Sequence, residues 1–353
     1  MQRPIAAPPI RVLVVDDAVV VRRVVGRAIE RDPSLALVGV AANGKLALAK
    51  IEALRPDVVV LDLEMPVMDG LETLAAIRRT NTALPVIVFS HLTAPAADAT
   101  LDALAAGASD FAMKPRADGI GLAEDQVVAE LLPRIKALVR PSMGPTPKAA
   151  PRVRAAGARA VDVVVMAAST GGPNALAEIL PAVGGPLRVP ILVVQHMPPV
   201  FTMILAQRLD RAAAVPVAEA QPGEPVVPGR VYLAPGGHHL AVVRSGDRVR
   251  IRIYDGPPEN SCRPAADVLF RSAAAAYGAG VLGVVLTGMG HDGLRGAEAV
   301  RAAGGTVIAQ DEQTSVVASM PAAVAAAGLT DTVHPVGAIG PELARRISGK
   351  VTR

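Results

Sequence analysis

The strongest constraint on the fold is a repeated alternation. Short, unbroken runs of β-branched and aliphatic residues end in a polar side chain and give way to stretches with helical spacing. In the first 140 residues the runs are RVLVVDD, DVVVLDLEMP, LPVIVFSH and SDFAMKP, with AVVVRRVVGRAIER, KLALAKIEALR and GLETLAAIRR between them. Beyond residue 160 they are VDVVVMAAST, PILVVQHM, GRVYLAP, VLGVVLTGMG and GTVIAQD, with Ala-rich helical stretches between several. A strand apolar along its whole length must be covered on both faces. Strands of this kind alternating with helices imply parallel sheets with helices on either side. The expected fold class is α/β, with two doubly wound parallel-sheet domains.

The two sets of runs are separated by residues 141–159, PSMGPTPKAAPRVRAAGAR. Four of these are Pro, four are basic and none is acidic, the composition of a semi-stiff linker. The expected domains are 9–140 and 160–350. Hydrophobic residues make up 51% of the chain and charged residues 19%, enough apolar side chain for two cores, so wholesale disorder is excluded. No apolar run reaches the roughly 18 residues of a membrane span, so no membrane insertion is expected. The opening MQRPIAAPPIRV has no apolar stretch long enough for a signal peptide. The single cysteine, Cys262, excludes an intramolecular disulfide and a Cys-based zinc cage. A cytoplasmic location is expected. The net charge of +4 and 2% aromatic content argue against a nucleic-acid partner.

In open parallel sheets the reactive groups lie beyond the carboxyl ends of the strands. In the first half those ends carry Asp16, Asp17, Asp62, Ser90 and Lys114. Singly, each reads as a solvated strand end or cap. Together, three carboxylates on one sheet edge repel unless a cation neutralises them, and hard Mg²⁺ suits oxygen donors. Lys114 offers a point charge to a phosphoryl oxygen and Ser90 a hydroxyl. This is the set that phosphoryl transfer to an aspartate needs. The segments VVDD, LDLEMPVMDG, FS and KP resemble a response-regulator receiver domain over roughly residues 10–130. The resemblance implies a flavodoxin-like fold and Asp62 as phosphoacceptor. It also implies Mg²⁺ held by Asp16, Asp17, Asp62 and the Glu64 carbonyl, and a switch formed by Ser90, Phe111 and Lys114.

In the second half, Ser169 lies in a Gly-rich turn, His196 ends PILVVQHM, and Asp292 follows VLGVVLTGMGH. Alone, Ser169 reads as a helix N-cap, His196 as a structural histidine and Asp292 as a turn residue. Taken together they are a hydroxyl, the base that activates it and the carboxylate that fixes the base's tautomer. Gly288, Gly290 and Gly293 also form a G-x-G-x-x-G pattern, with Asp311 at the end of the next strand. That leaves an NAD-dependent enzyme as an alternative. A receiver-controlled DNA-binding regulator is a second alternative, although no basic recognition helix is visible.

The segments AASTGGP, QHMPPVFT, APGGHHL, RPAADVLFRSAA and LTGMGHDG resemble the catalytic domain of chemotaxis protein-glutamate methylesterases, over roughly residues 160–349. The resemblance implies a Rossmann-like hydrolytic domain with Ser169 as nucleophile, His196 as base and Asp292 as orienting acid. Met289 would supply an oxyanion N–H and Thr170 positional support, with no cofactor in this half. It further implies methyl-accepting receptors as substrates, glutamine deamidation as a second activity, and a histidine kinase as phosphodonor. The unphosphorylated receiver is expected to pack over the active site until Asp62 is phosphorylated. The sequence departs from the family at Cys262 and Ala265, where His and Ser are expected, and at His91. The first two are expected to alter substrate-loop contacts and leave the triad intact, the third to tune receiver output.

Overall fold

The computed structural model describes residues 8–115, 119–139, 160–184 and 187–348. Every apolar run singled out above forms a strand of a parallel sheet. The chain divides into two compact units, Met1–Pro141 and Ser142–Arg353. The expected linker, 141–159, lies outside the described residues.

The first unit runs β1 (Ile10–Val15), α1 (Val19–Glu30), β2 (Leu35–Ala41), α2 (Gly44–Leu54), β3 (Val58–Asp62), α3 (Gly70–Thr80), β4 (Val86–Ser90), α4 (Ala94–Ala105), β5 (Asp110–Met113) and α5 (Ile120–Val139). Its five strands lie in the order β2-β1-β3-β4-β5, all parallel. β3 and β4 are buried at every position, as mid-sheet parallel strands must be. The helix after β3 starts with a capping box: Asp69 accepts from the Glu72 N–H while Glu72 accepts from the Asp69 N–H.

The second unit runs β6 (Val163–Ala168), α6 (Gly172–Ala182), β7 (Ile191–Gln195), α7 (Phe201–Ala212), β8 (Val217–Glu219), β9 (Val231–Leu233), β10 (His239–Ser245), β11 (Arg248–Tyr254), α8 (Ala266–Tyr277), β12 (Val281–Val285), α9 (Leu294–Ala302), β13 (Thr306–Gln310), α10 (Ser319–Ala326), β14 (Thr332–His334) and α11 (Val336–Ile347). Seven strands form a parallel sheet in the order β14-β13-β12-β6-β7-β9-β8. β10 and β11 form a separate antiparallel hairpin, which the reading as two purely parallel-sheet domains does not include. Alternation drives it. Val249 and Ile251 face inward onto the core with Leu269 and Ala273 of α8, while Arg248, Arg250 and Arg252 point outward. Among the described residues no helix is long and apolar enough to cross a membrane.

Candidate active site

In the seven-stranded sheet the order reverses at β6, with β7 on one side and β12 on the other. Such a reversal leaves a crevice beyond the carboxyl ends of the strands. Ser169 follows β6, His196 follows β7, and Asp292 lies on the loop between β12 and α9. The Ser169 N–H donates to the Thr287 carbonyl at 3.0 Å, tying the end of β6 to the loop after β12. The His196 N–H donates to the Ala168 carbonyl at 3.0 Å, tying β7 to the other side. The backbone thus sets Ser169 between its two partners.

After Ser169 the chain turns sharply. The Gly172 N–H closes onto the Ser169 carbonyl at 2.8 Å, and Gly171, at φ 77°, caps α6. Ser169 is therefore not the N-cap that such a serine would be in isolation. A Cβ on Gly172 would collide with Gln195 Oε1 and stand 2.8 Å from Ala168 Cβ, so any side chain there would displace its neighbours.

His196 Nε2 meets Asp292 Oδ2 at 2.7 Å. The carboxylate can only accept, so Nε2 carries a proton and Nδ1 is the nitrogen left for proton transfer. Asp292 is 2% exposed. Its Oδ2 also accepts from the Ala266 N–H at 2.6 Å, and its Oδ1 from the Asp267 and Gly293 N–H groups and from Asn260 Nδ2. Ala266 and Asp267 open α8, so a helix N-terminus points at the carboxylate. Burial favours the neutral acid, but the His196 bond and charge and these backbone donors outweigh it and hold Asp292 below the usual carboxylate range. Burial likewise disfavours the His196 imidazolium. The bonds and charges of Asp292 and Cys262 win, and the ring is raised to about 9.

The structure brings His196 and Asp292 into contact and seats Ser169 on the adjacent strand end. Among the described residues the Ser169 hydroxyl makes no hydrogen bond, and His196 Nδ1 instead faces Cys262 Sγ at 3.6 Å. Met289 is half-buried. Thr170 is buried, and its carbonyl accepts from Thr287 Oγ1 at 2.9 Å. The G-x-G-x-x-G loop is occupied in shaping this centre: a Cβ on Gly288 would stand 2.7 Å from Ser169 Cβ, and Asp292 sits inside the pattern. Asp311 is committed to a turn, accepting from the Thr314 N–H at 2.9 Å. Sequence reading missed Asn260, Asp267 and the start of α8 as supports of Asp292. The run RPAADVLF was visible, but nothing in its spacing says that its first helical N–H groups meet a carboxylate 25 residues on.

In the first unit, Asp16 follows β1 and Asp62 ends β3, on adjacent strands. Lys114 Nζ bridges them, 2.8 Å from Asp16 Oδ2 and 2.8 Å from Asp62 Oδ2. Oxygens of Asp16, Asp17 and Asp62 lie within 4.8 Å of one another. Three carboxylates against one lysine leave two negative charges, and a set of hard oxygens with that excess fits a divalent cation such as Mg²⁺. Burial first, and then the neighbouring Asp62 charge, hold the Asp16 carboxyl above its ordinary range despite Lys114. Ser90 is turned to α4, where it accepts from Thr100 Oγ1 at 2.7 Å, and Phe111 is buried. Glu64 is exposed; its N–H approaches Asp62 Oδ1 at 3.4 Å.

Comparison with known proteins places both units in families. The response regulator receiver domain family matches residues 12–120, and the CheB methylesterase family matches residues 164–343. A protein-glutamate methylesterase/protein-glutamine glutaminase from a Nocardioides species is 50% identical over 355 residues, spanning 97% of this chain and 96% of its own. One from Trichodesmium erythraeum is 45% identical, spanning 96% and 99%. Among solved structures, the Thermotoga maritima CheB methylesterase catalytic domain is 43% identical and covers 53% of this chain and 99% of its own, with a TM-score of 0.52. The chain therefore belongs to the protein-glutamate methylesterase/protein-glutamine glutaminase family, with a response-regulator receiver unit ahead of a CheB-type methylesterase unit.

Proposed function

We propose that the second unit hydrolyses methyl esters of glutamyl side chains on methyl-accepting chemotaxis receptors, through an acyl-enzyme on Ser169. The observation that carries this is the 2.7 Å bond between His196 Nε2 and Asp292 Oδ2, formed beyond the ends of β7 and β12, the two strands that flank β6, after which Ser169 lies. Ser169 Oγ attacks the γ-carbonyl carbon and its proton passes to His196 Nδ1. The tetrahedral oxyanion is stabilised by backbone donors, the Met289 N–H being the candidate. The intermediate collapses, methanol leaves with the proton returned by His196, and a serine ester remains. Water, deprotonated by His196, attacks that ester and releases glutamate and free Ser169. With a glutamine side chain the same route expels ammonia. Asp292 stays ionised throughout and holds the ring by Nε2.

The first unit regulates this reaction. A histidine kinase supplies the phosphoryl group, and an Asp62 carboxylate oxygen attacks its phosphorus. Asp16, Asp17 and Asp62, with the Glu64 carbonyl, would hold Mg²⁺, which supplies charge neutralisation to the transferring group. Lys114 binds a phosphoryl oxygen, and Ser90 and Phe111 report the change of state.

The test is at the nucleophile. Ser169→Ala should lose at least about 10⁴-fold in kcat while its thermal melt stays close to the parent's. A serine-directed phosphonate should label Ser169 in the parent protein, as read by mass spectrometry. Retained turnover in Ser169→Ala, or a label elsewhere, removes Ser169 from the role.

A further inference from the structure

The loop from Glu259 to Pro264 touches both members of the His–Asp pair. Asn260 and Ser261 hold φ of 53° and 62°. The left-handed region is uncommon for a residue with a Cβ, and a Ser held there persists where the surroundings enforce it. Here Glu259 and Cys262 exchange backbone hydrogen bonds at 3.1 and 2.9 Å, and Arg271 grips the Glu259 carboxylate with two bonds of 2.6 and 2.7 Å. The turn aims two side chains. Asn260 Nδ2 reaches Asp292 Oδ1 and Asp267 Oδ2, both at 2.9 Å. Cys262 Sγ lies 3.4 Å from the Asn260 carbonyl and 3.6 Å from His196 Nδ1. The carbonyl can only accept, so it takes the thiol proton, and the sulfur is left facing Nδ1 as an acceptor.

We propose that Cys262 is a positioning residue of the hydrolase: its sulfur holds Nδ1 of His196, the nitrogen that must reach Ser169, and yields it when the ester binds. The proposal rests on the Ser169 reading above. It accounts for the resting arrangement, in which both ring nitrogens are engaged and the nucleophile's hydroxyl is not bonded to either. It adds a contact with His196 to the expectation that Cys262 alters substrate-loop contacts. The other titratable groups around the pair are already matched. Glu259 is paired with Arg271. Asp267 accepts from the Gly293 and Gly296 N–H groups. His239, at the head of β10, is bonded to the Pro257 carbonyl and the Ala265 N–H. Cys262 is thus the group whose removal alters His196 and leaves this set in place.

The experiment is the pH dependence of kcat and KM for the full-length protein, Cys262→Ala and Cys262→Ser. The imidazole must be neutral to take the Ser169 proton, so the rate rises with pH as the ring titrates. A sulfur acceptor favours the protonated ring. Its loss in Cys262→Ala should move the rising limb of kcat/KM, which reports the free enzyme, to lower pH by at least about half a unit, with about threefold higher kcat/KM near neutrality. The high-pH plateau of kcat/KM, and kcat itself, should stay within about twofold. Cys262→Ser, which keeps an acceptor, should fall between. A structural role alone would lower the plateau or the melting temperature without moving the limb. The His196 titration by NMR, in Ser169→Ala with and without Cys262→Ala, reads the same shift without turnover. An unmoved limb, or a titration unchanged by Cys262→Ala, overturns the proposal. An active Ser169→Ala would overturn the hydrolase reading instead, and the titration would still report on Cys262.

Discussion

At the scale of single residues, the centre is governed by how a largely enclosed imidazole is held charged. The ordinary histidine pKa is about 6.5, and in the folded protein His196 stands at about 9. A group whose pKa is raised by folding stabilises the protein fully below its unfolded value, and that contribution is lost as pH rises through its folded value. The second unit should therefore lose stability between pH 6.5 and about 9. Denaturant melts across that window should show the decline in the parent and a flatter profile in His196→Gln. A parent protein equally stable at both ends would contradict the charged resting ring. Asp292 works in the opposite direction. Its pKa is depressed, so its contribution is present above the ordinary carboxylate range and disappears only in acid.

At the scale of elements, the loop after β12 does the closest fitting. It carries Gly288 against Ser169 and Asp292 against His196. A methyl added in Gly288→Ala would press on Ser169 Cβ and on Met320 Sδ. Overpacking of this kind costs about 1–3 kcal/mol. A displacement of the nucleophile by about 1 Å can cost about 100-fold in rate. Gly288→Ala should thus lose activity out of proportion to its loss in melting temperature; an unchanged kcat would show that the contact has slack. What could be read from the sequence was the ends of the apolar runs. Asp62, Ser90 and Ser169 close or follow such runs directly, and a parallel sheet sends all such ends to one edge. Asn260 and Cys262 were not readable in this way, because they sit in an aperiodic turn whose value comes from distant partners: Asp292 for Asn260, 32 residues away, and His196 for Cys262, 66 residues away. The hairpin β10–β11 did leave a signal. Arg248, Arg250 and Arg252 alternate with Val249 and Ile251, and Gly246–Asp247 is a two-residue turn. A helix-and-strand period applied to the whole half passes over that local change.

At the scale of the whole molecule, the two units make separable predictions. Asp62→Asn should fold and keep basal ester hydrolysis, but a small phosphodonor should no longer stimulate it. Chelation of Mg²⁺ should likewise abolish stimulation and spare basal turnover; a chelator that stopped basal turnover would contradict this division of labour. A fragment beginning at residue 160 should hydrolyse ester faster than the unstimulated full-length chain, measured as initial rates at equal concentration. One feature of the sheet reaches beyond these assays. β6 leaves the ribosome first in its unit, yet its neighbour β12 begins only at Val281. Until then the strand bearing the nucleophile has a bare flank open to mispairing, and its carboxylate partner has not been made. A nascent or prematurely terminated chain therefore stays chemically silent, and the interval before Val281 is when a chaperone would matter most.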